Sequence, residues 1–178
     1  LLVHCDAVQA AGRLPIDVTA LGVDYLTLSA HKIGGPKGIG AIVVRDGVAF
    51  APLIRGGGQE LGRRAGTENI AAIAGFGAAA SNAMKALGAI DVQHGLRDRL
   101  EAGMSGTTII GAASPRLANT ACIALSGQSA ETLVIKLDLA GIAVSAGAAC
   151  SSGKVGKSAV LAAMNLPDDI ARSAIRVS

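Results

Sequence analysis

The stretch Tyr25-Leu26-Thr27-Leu28-Ser29-Ala30-His31-Lys32-Ile33-Gly34-Gly35 decides how this chain is read. Its first four residues are aromatic, branched or apolar, the composition of a short buried strand. The strand ends in a hydroxyl, an imidazole and an amine, and the backbone then turns away through two glycines. A lysine pinned at a strand end among small residues suits Schiff-base chemistry. Its amine must lose a proton before it can attack a carbonyl, and partial burial favours that loss. Taken alone, the segment reads more readily as a surface lysine, because burying an amine is costly. Lys37, inside the glycine loop 34–40, reads as solvated.

Working outward, residues 1–5, 41–44 and 51–54 read as further strands, separated by Gly- and Pro-containing turns. Gly56-Gly57-Gly58 is a loop, since glycine at that density destabilises either regular element. Near residue 67 the pattern changes. Ile70, Ile73, Gly77, Ala80, Met84 and Leu87 recur at three- and four-residue steps, the mark of an amphipathic helix with a small-residue face. A second helix is expected over 92–103. Strands follow at 107–110 and 120–125, then a helix to about residue 140 with Ser129 as its N-cap. Residues 142–144 read as a strand and 145–153 as a loop of Ser, Ala and Gly around Cys150. Helices over 158–165 and 168–172, the latter started by Pro167, lead to a last strand at 174–177. The composition change divides the chain into 1–66 and 67–178.

The chain has 178 residues, of which 51% are hydrophobic, 16% charged and 2% aromatic, a balance that excludes a disordered chain. A formal charge of +3, with no Lys/Arg block and almost no aromatic side chains for stacking, argues against a nucleic-acid partner. Apolar stretches such as 70–80 are interrupted before the roughly 20 residues that a bilayer span takes, so no membrane role is expected. No signal segment opens the chain. The three cysteines are too far apart for a disulfide framework or a CxxC metal pair, which fits a reducing, cytoplasmic setting and no metal site. Cys5 and Cys122 lie in apolar strands and read as core residues. The absence of an initiator Met, with Leu1 already inside a strand, reads as a segment of a longer protein.

Asp6 stands at the carboxyl end of the first strand, with Gln9 three residues on. A carboxylate there can hold a pyridine nitrogen protonated, and an amide can donate to a ring oxygen. Alone, Asp6 reads more readily as a turn or cap residue. Several stretches together carry more. Val3-His4-Cys5-Asp6-Ala7-Val8-Gln9-Ala10, Ser29-Ala30-His31-Lys32, Arg55-Gly56-Gly57-Gly58-Gln59-Glu60 and Arg64-Ala65-Gly66-Thr67-Glu68-Asn69 come first. Arg116 to Thr120, Asp138 to Ser145, Ala146 to Gly153 and Ala174 to Ser178 follow. In this order they resemble the C-terminal half of the cysteine desulfurases, fold-type I pyridoxal-phosphate (PLP) enzymes of the class V aminotransferase group.

The resemblance implies an α/β fold: the remainder of a PLP-binding large domain with a mainly parallel sheet over 1–66, then a small α/β domain over 67–178. It implies that Lys32 binds the PLP aldehyde and moves the substrate's Cα proton. Asp6 pairs with the pyridine nitrogen and Gln9 with the phenolic oxygen. Ser29 and His31 hold the phosphate, Thr67 reaches the phosphate in a partner subunit, and Arg176 forks onto the substrate carboxylate. Cys150 is implied as the nucleophile that takes sulfur from L-cysteine, leaving L-alanine and a protein persulfide. That sulfur goes to iron–sulfur cluster assembly or thiolation, through an acceptor such as a scaffold or sulfur-carrier protein, and the enzyme is a homodimer. Ala146 and Ala148, where relatives often carry Ser, and Leu61, where Arg is frequent, are mild departures.

Other readings remain open at this stage. A selenocysteine lyase or an aminotransferase of the same group would share Lys32 and Asp6, with Cys150 separating them from a desulfurase. An inactive fragment or interaction module would keep the motifs without the half of the site that the family places before Asp6. Ser151 to Ser158 is similar to a phosphate-loop tail but has Ser where the motif needs its first Gly. The Gly75-Phe76-Gly77 match to a dinucleotide loop falls inside a helical pattern.

Overall fold

A computed structural model of the chain describes residues 1–147 and 158–178. They form two compact units, Leu1–Ala89 and Ile90–Ser178. The composition change near residue 67 marks where strands give way to helix, and the first long helix after it packs on the first unit.

In that unit, β1 (His4–Asp6), β2 (Tyr25–Ser29) and β3 (Gly40–Val44) form a sheet in the order β1-β2-β3. β1 runs parallel to β2, with Asp6 opposite Thr27, whereas β3 pairs antiparallel with β2. The sheet is therefore mixed where a mainly parallel one was expected, because the short glycine turn after Lys32 sends the chain straight back along β2. Ala7, Val23 and Leu26 are buried together against Ile16, Val18 and Leu28. α1 (Val18–Leu21) is capped by Asp17, whose carboxylate accepts the Thr19 and Ala20 N–H groups at 2.9 and 3.0 Å.

One buried residue ties the three strands together. Asp24, only 3% exposed, accepts the Val3 N–H at 2.7 Å and pairs with the Arg45 guanidinium. Its backbone carbonyl accepts the Arg45 N–H at 2.9 Å, and its own N–H donates to the Val3 carbonyl at 2.9 Å. The leads into β1 and β2 and the exit of β3 thus meet on a single side chain. Val3 spends its N–H on the carboxylate, so the ladder of β1 opens at His4, later than the strand expected from residue 1.

Residues 51–54 do not form the expected strand. Pro52 has no N–H to give a ladder, and the segment's backbone bond in this loop region runs from the Ala65 N–H to the Ile54 carbonyl at 3.1 Å. α2 (Ile70–Ala86) is capped by Asn69, which accepts the Ala72 N–H at 3.1 Å. Its small residues lie against the loops of the same unit. A Cβ on Gly75 would come within 2.7 Å of Pro36, one on Gly35 within 3.1 Å of Ala79, and one on Gly12 within 3.0 Å of Ala83. Helical residues Ile70–Gly103 include an 18-residue window of mean hydropathy 1.3, long and apolar enough by length and composition to cross a membrane. That corrects the expectation that the apolar stretches stop short. The close packing of α2 on Gly12, Gly35 and Pro36 gives part of this stretch a role inside its own unit.

In the second unit, α3 (Ile90–Gly103), β4 (Thr108–Ile109), β5 (Ala121–Ala124), α4 (Ala130–Leu139), β6 (Ser145–Ala146), α5 (Ala159–Ala163), α6 (Asp168–Ser173) and β7 (Ala174–Val177) follow in order. The sheet is antiparallel, in the order β4-β5-β7-β6. Ala121, Ile123 and Ile175 bury one face against Ala130 and Leu133 of α4. Ala124 and Ala174 bury the other against Ile110 and Leu161, with Ile170 alongside. Ser129 caps α4 as expected, accepting the Thr132 N–H at 3.2 Å, and Ser158 caps α5 through the Leu161 N–H at 3.3 Å. Such caps are worth about 1 kcal/mol each.

The strand expected at 142–144 appears three residues later. Gly141, at φ +77°, and Ile142 close the end of α4 by donating to the carbonyls of Asp138 at 2.9 Å and Leu137 at 2.8 Å. The helix terminus thus consumes the residues that hydropathy alone assigns to a strand. Arg116 grips Glu101 of α3 through two hydrogen bonds of 2.6 and 3.1 Å, and Arg97 donates to the Leu117 carbonyl at 3.0 Å. The Arg116 fork, with Arg97 adding to it, holds the Glu101 carboxyl below its ordinary range against an opposing push from burial.

The Asp24 carboxyl is likewise held down, first by the Val3 N–H, then by the Arg45 guanidinium, against the opposing effect of burial. A group whose folded-state pKa is depressed adds stability above its unfolded value and loses it as pH falls through the folded one. Asp24→Asn is therefore expected to melt earlier than the parent at neutral pH. Its melting temperature should also fall less steeply than the parent's on acidification below about pH 4. Thermal melts between pH 7 and pH 2.5 check this, and a variant with the parent's stability and acid slope would remove Asp24 from its place in the fold.

Candidate functional site

Because β1 and β2 are parallel neighbours, their carboxyl ends open on the same edge of the sheet. This is where α/β folds bring ligand-binding groups together. Asp6 ends β1, and Ser29 ends β2. After Ser29 the chain enters a 3-10 turn, Ala30–Ile33, which carries His31 and Lys32. Ala30 is fully buried, its N–H bonded to the Ile39 carbonyl at 3.1 Å and its carbonyl accepting the Gly35 N–H at 2.8 Å. Gly34 closes the turn at φ +83°, a conformation that side chains resist, so the glycine after Ile33 is what lets the backbone leave directly behind Lys32.

The Ser29 hydroxyl and His31 Nδ1 are hydrogen-bonded at 2.8 Å. Asp6 Oδ1 accepts the Val8 N–H at 3.0 Å, which fixes the carboxylate and leaves its second oxygen at the edge. Gln9 Oε1 accepts from Arg13 at 3.1 Å, so its amide nitrogen is the group left to donate. His4 Nε2 and the Thr27 hydroxyl are 3.1 Å apart across the β1–β2 pair. Asp6, Gln9, His31 and Lys32 are exposed and Ser29 is half-buried. The partial burial asked of Lys32 in the sequence reading is therefore not supplied by this unit.

The donor set suits PLP. A hydroxyl and an imidazole, already in contact, match an anionic phosphate. An amine one residue on matches an aldehyde, and a carboxylate on the adjacent strand end matches a pyridinium nitrogen.

Thr67 lies exposed in the loop before α2. Upstream, Gln59 folds that loop by accepting the Gly66 N–H at 3.2 Å, and Glu60 and Leu61 adopt φ of +51° and +56°. Two successive non-glycine residues at positive φ are uncommon. Their place between Gln59 and Thr67 shows that this loop holds a specific path. The motif reading did not anticipate that strain.

Arg176 belongs to the second unit, on β7. Its register partners are Ser145 on β6 and Cys122 on β5. The guanidinium Nη2 donates to the Ser145 hydroxyl at 3.4 Å, and its buried Nε has no hydrogen-bond partner among the described residues. Burial pushes the Cys122 thiol up, opposed by the nearby Arg176 charge, which agrees with Cys122 as a largely apolar strand residue. Also in this unit, a cavity of about 280 Å³ lies beside α3, lined by Leu96, Arg97, Leu100, Asn119 and Thr120 among others. Asn119 and Thr120 belong to the Arg116 to Thr120 stretch, but none of the candidate cofactor, substrate or catalytic residues lines the cavity. Cys150, and the phosphate-loop-like run up to residue 157, lie outside the described residues. Asp24 and Ser145 are the two contributors that sequence reading missed. Each is a polar residue, Asp24 just before β2 and Ser145 at the start of β6, whose partner is more than 20 positions away.

The family model described as aminotransferase class-V matches residues 1–178. A cysteine desulfurase of Enterobacter agglomerans is 47% identical over 182 residues, covering 100% of this chain and 45% of the relative. One from Cereibacter sphaeroides is 49% identical, covering 99% and 46%. Among solved structures, a NifS-like protein superposes with a TM-score of 0.87 at 39% identity, covering 99% of this chain and 46% of that one. SspA, solved in complex with cysteine, gives a TM-score of 0.77 at 31% identity, covering 100% and 50%. The chain spans about half the length of the curated relatives it matches. With a family match from the first residue to the last, on a fold that sets Asp6 beside the Ser29–Lys32 run, the chain belongs to the aminotransferase class-V family.

Proposed function

We propose that this chain forms the lysine-bearing part of a PLP-dependent cysteine desulfurase acting on L-cysteine. The observation that carries the reading is the parallel pairing of β1 with β2, which sets the Asp6 carboxylate beside the Ser29–His31–Lys32 turn. The cysteine desulfurases among its relatives and the cysteine held by SspA support the choice of substrate.

When bound, PLP supplies an electron-withdrawing ring that stabilises negative charge at the substrate carbon beside the amine. The chain's own residues bind and orient. Ser29 and His31 would hold the phosphate, and the second oxygen of Asp6 would keep the ring nitrogen protonated. The Gln9 amide nitrogen donates to the phenolic oxygen. The Lys32 amine would hold the cofactor covalently and would carry the proton at the substrate Cα. Thr67 serves the phosphate of a partner subunit in a homodimer. Arg176 takes the substrate carboxylate through paired N–H groups.

The overall reaction balances as L-cysteine plus a protein thiol giving L-alanine plus a protein persulfide, with Cys150 as the thiol. The persulfide sulfur then passes to an acceptor protein for iron–sulfur cluster assembly or thiolation, in a soluble, cytoplasmic setting.

Two outcomes test this in the protein that carries the chain. Lys32→Ala is expected to abolish the visible absorbance of bound PLP, and a variant that keeps the parent's band would reject Lys32 as the attachment point. Cys150→Ser is expected to bind PLP and L-cysteine as the parent does but to release no sulfide in the presence of a reductant. Sulfide release at the parent's rate would move the activity to a lyase or aminotransferase.

A further inference from the structure

We propose that Ser145 is the positioning residue for Arg176, holding the guanidinium in the orientation that receives a substrate carboxylate. The inference rests on the reading of Arg176 as the carboxylate anchor.

Ser145, Arg176 and Cys122 form one row across β6, β7 and β5, each the direct register partner of its neighbour and so on the same face of the sheet. Further along β5 and β7 this face is apolar, with Ala124 and Ala174 buried against Leu161. The row is thus a polar end to an apolar surface. Within it, the bond from Arg176 Nη2 to the Ser145 hydroxyl, at 3.4 Å, is the one hydrogen bond the described residues give the guanidinium. Nε is buried without an acceptor among the described residues. A buried charged donor left unpaired is costly, and such a group calls for a reason.

The two register partners of Arg176 carry no compensating charge. Ser145 is neutral, Cys122 has its thiol pushed up by burial, and among the described residues no carboxylate forms an ion pair with Arg176. A carboxylate that accepts two parallel N–H bonds is the geometric match for this cation.

That match depends on orientation. Arginine is rich in rotamers, and a fork pointing the wrong way offers a single contact where two are needed. Ser145 sits in a strand whose backbone is locked to β7 at that very position, so its hydroxyl is a fixed reference for Nη2. Loss of the hydroxyl should weaken the hold on the carboxylate equally in the ground state and the transition state, which raises KM without lowering kcat.

The test is steady-state desulfuration of L-cysteine by the protein carrying this chain, comparing Ser145→Ala, Ser145→Thr, Ser145→Val and Arg176→Lys. Ser145→Ala should raise KM about three- to tenfold, the range for one ordinary hydrogen bond, with kcat within about twofold of the parent. Ser145→Thr, which keeps the hydroxyl, should restore KM. If Ser145→Ala does not fold, the isosteric Thr and Val variants read the same hydroxyl, with KM raised in Val alone. Unchanged KM in Ala or Val, equal impairment in Thr and Val, or a loss confined to kcat would overturn the inference. Arg176→Lys separates this from the parent reading. If it leaves KM unchanged, Arg176 is not the anchor, whereas a raised KM there with an unaffected Ser145→Ala rejects only the role of Ser145.

Discussion

The Asp24 carboxylate is the constraint on which the first unit depends. It joins the lead into β1 through Val3, the start of β2 through its own backbone, and the exit of β3 through Arg45. A buried carboxylate is tolerated only when hydrogen-bonded and paired, and here both conditions are met by groups from the two neighbouring strands. The consequence is register. A slip of β1 against β2 by one residue would turn Asp6 to the opposite face and leave the Val3 N–H and the Asp24 oxygen mismatched. Fixing that register is what sets a carboxylate beside a hydroxyl, an imidazole and an amine.

The second unit solves a different problem by similar means. Its antiparallel sheet is apolar on both faces, covered by α4 on one side and by Leu161 of α5 and Ile170 of α6 on the other. Into this surface β7 inserts a single cation, Arg176, between Ser145 and Cys122. The charge is retained although the buried Nε has no partner among the described residues. In the same unit, Arg116 and Arg97 are each spent on carboxylates or carbonyls that hold α3 to the loop before β5. Arg116 belongs to one of the motifs that carry the family likeness, yet its visible role is structural.

Much of this was legible in the sequence wherever the signal is local. The Ser129 cap, the helix following residue 69, and the strand that ends at the Ser29–Lys32 run all follow from neighbouring residues. Four candidate residues of the first unit, Asp6, Ser29, His31 and Lys32, stand at the strand ends where the apolar runs stop. What failed was signal with a second claimant. Residues 51–54 have a strand's hydropathy, but Pro52 gives up the N–H that a ladder needs. Residues 142–144 look like a strand, but the end of α4 draws Gly141 and Ile142 into its own hydrogen bonds. Asp24 and Ser145 were invisible for another reason: an Asp before a strand or a Ser after one reads as a turn residue until the distant partner is known.

The central claim is that the β1–β2 register builds one binding edge whose covalent hook is Lys32. It is tested most directly by loading the protein that carries this chain with PLP, reducing it with borohydride, and locating the pyridoxyl group by peptide mass spectrometry. The account predicts a single modified lysine, Lys32. A pyridoxyl group on Lys37 or on any other lysine, with Lys32 unmodified, would contradict it.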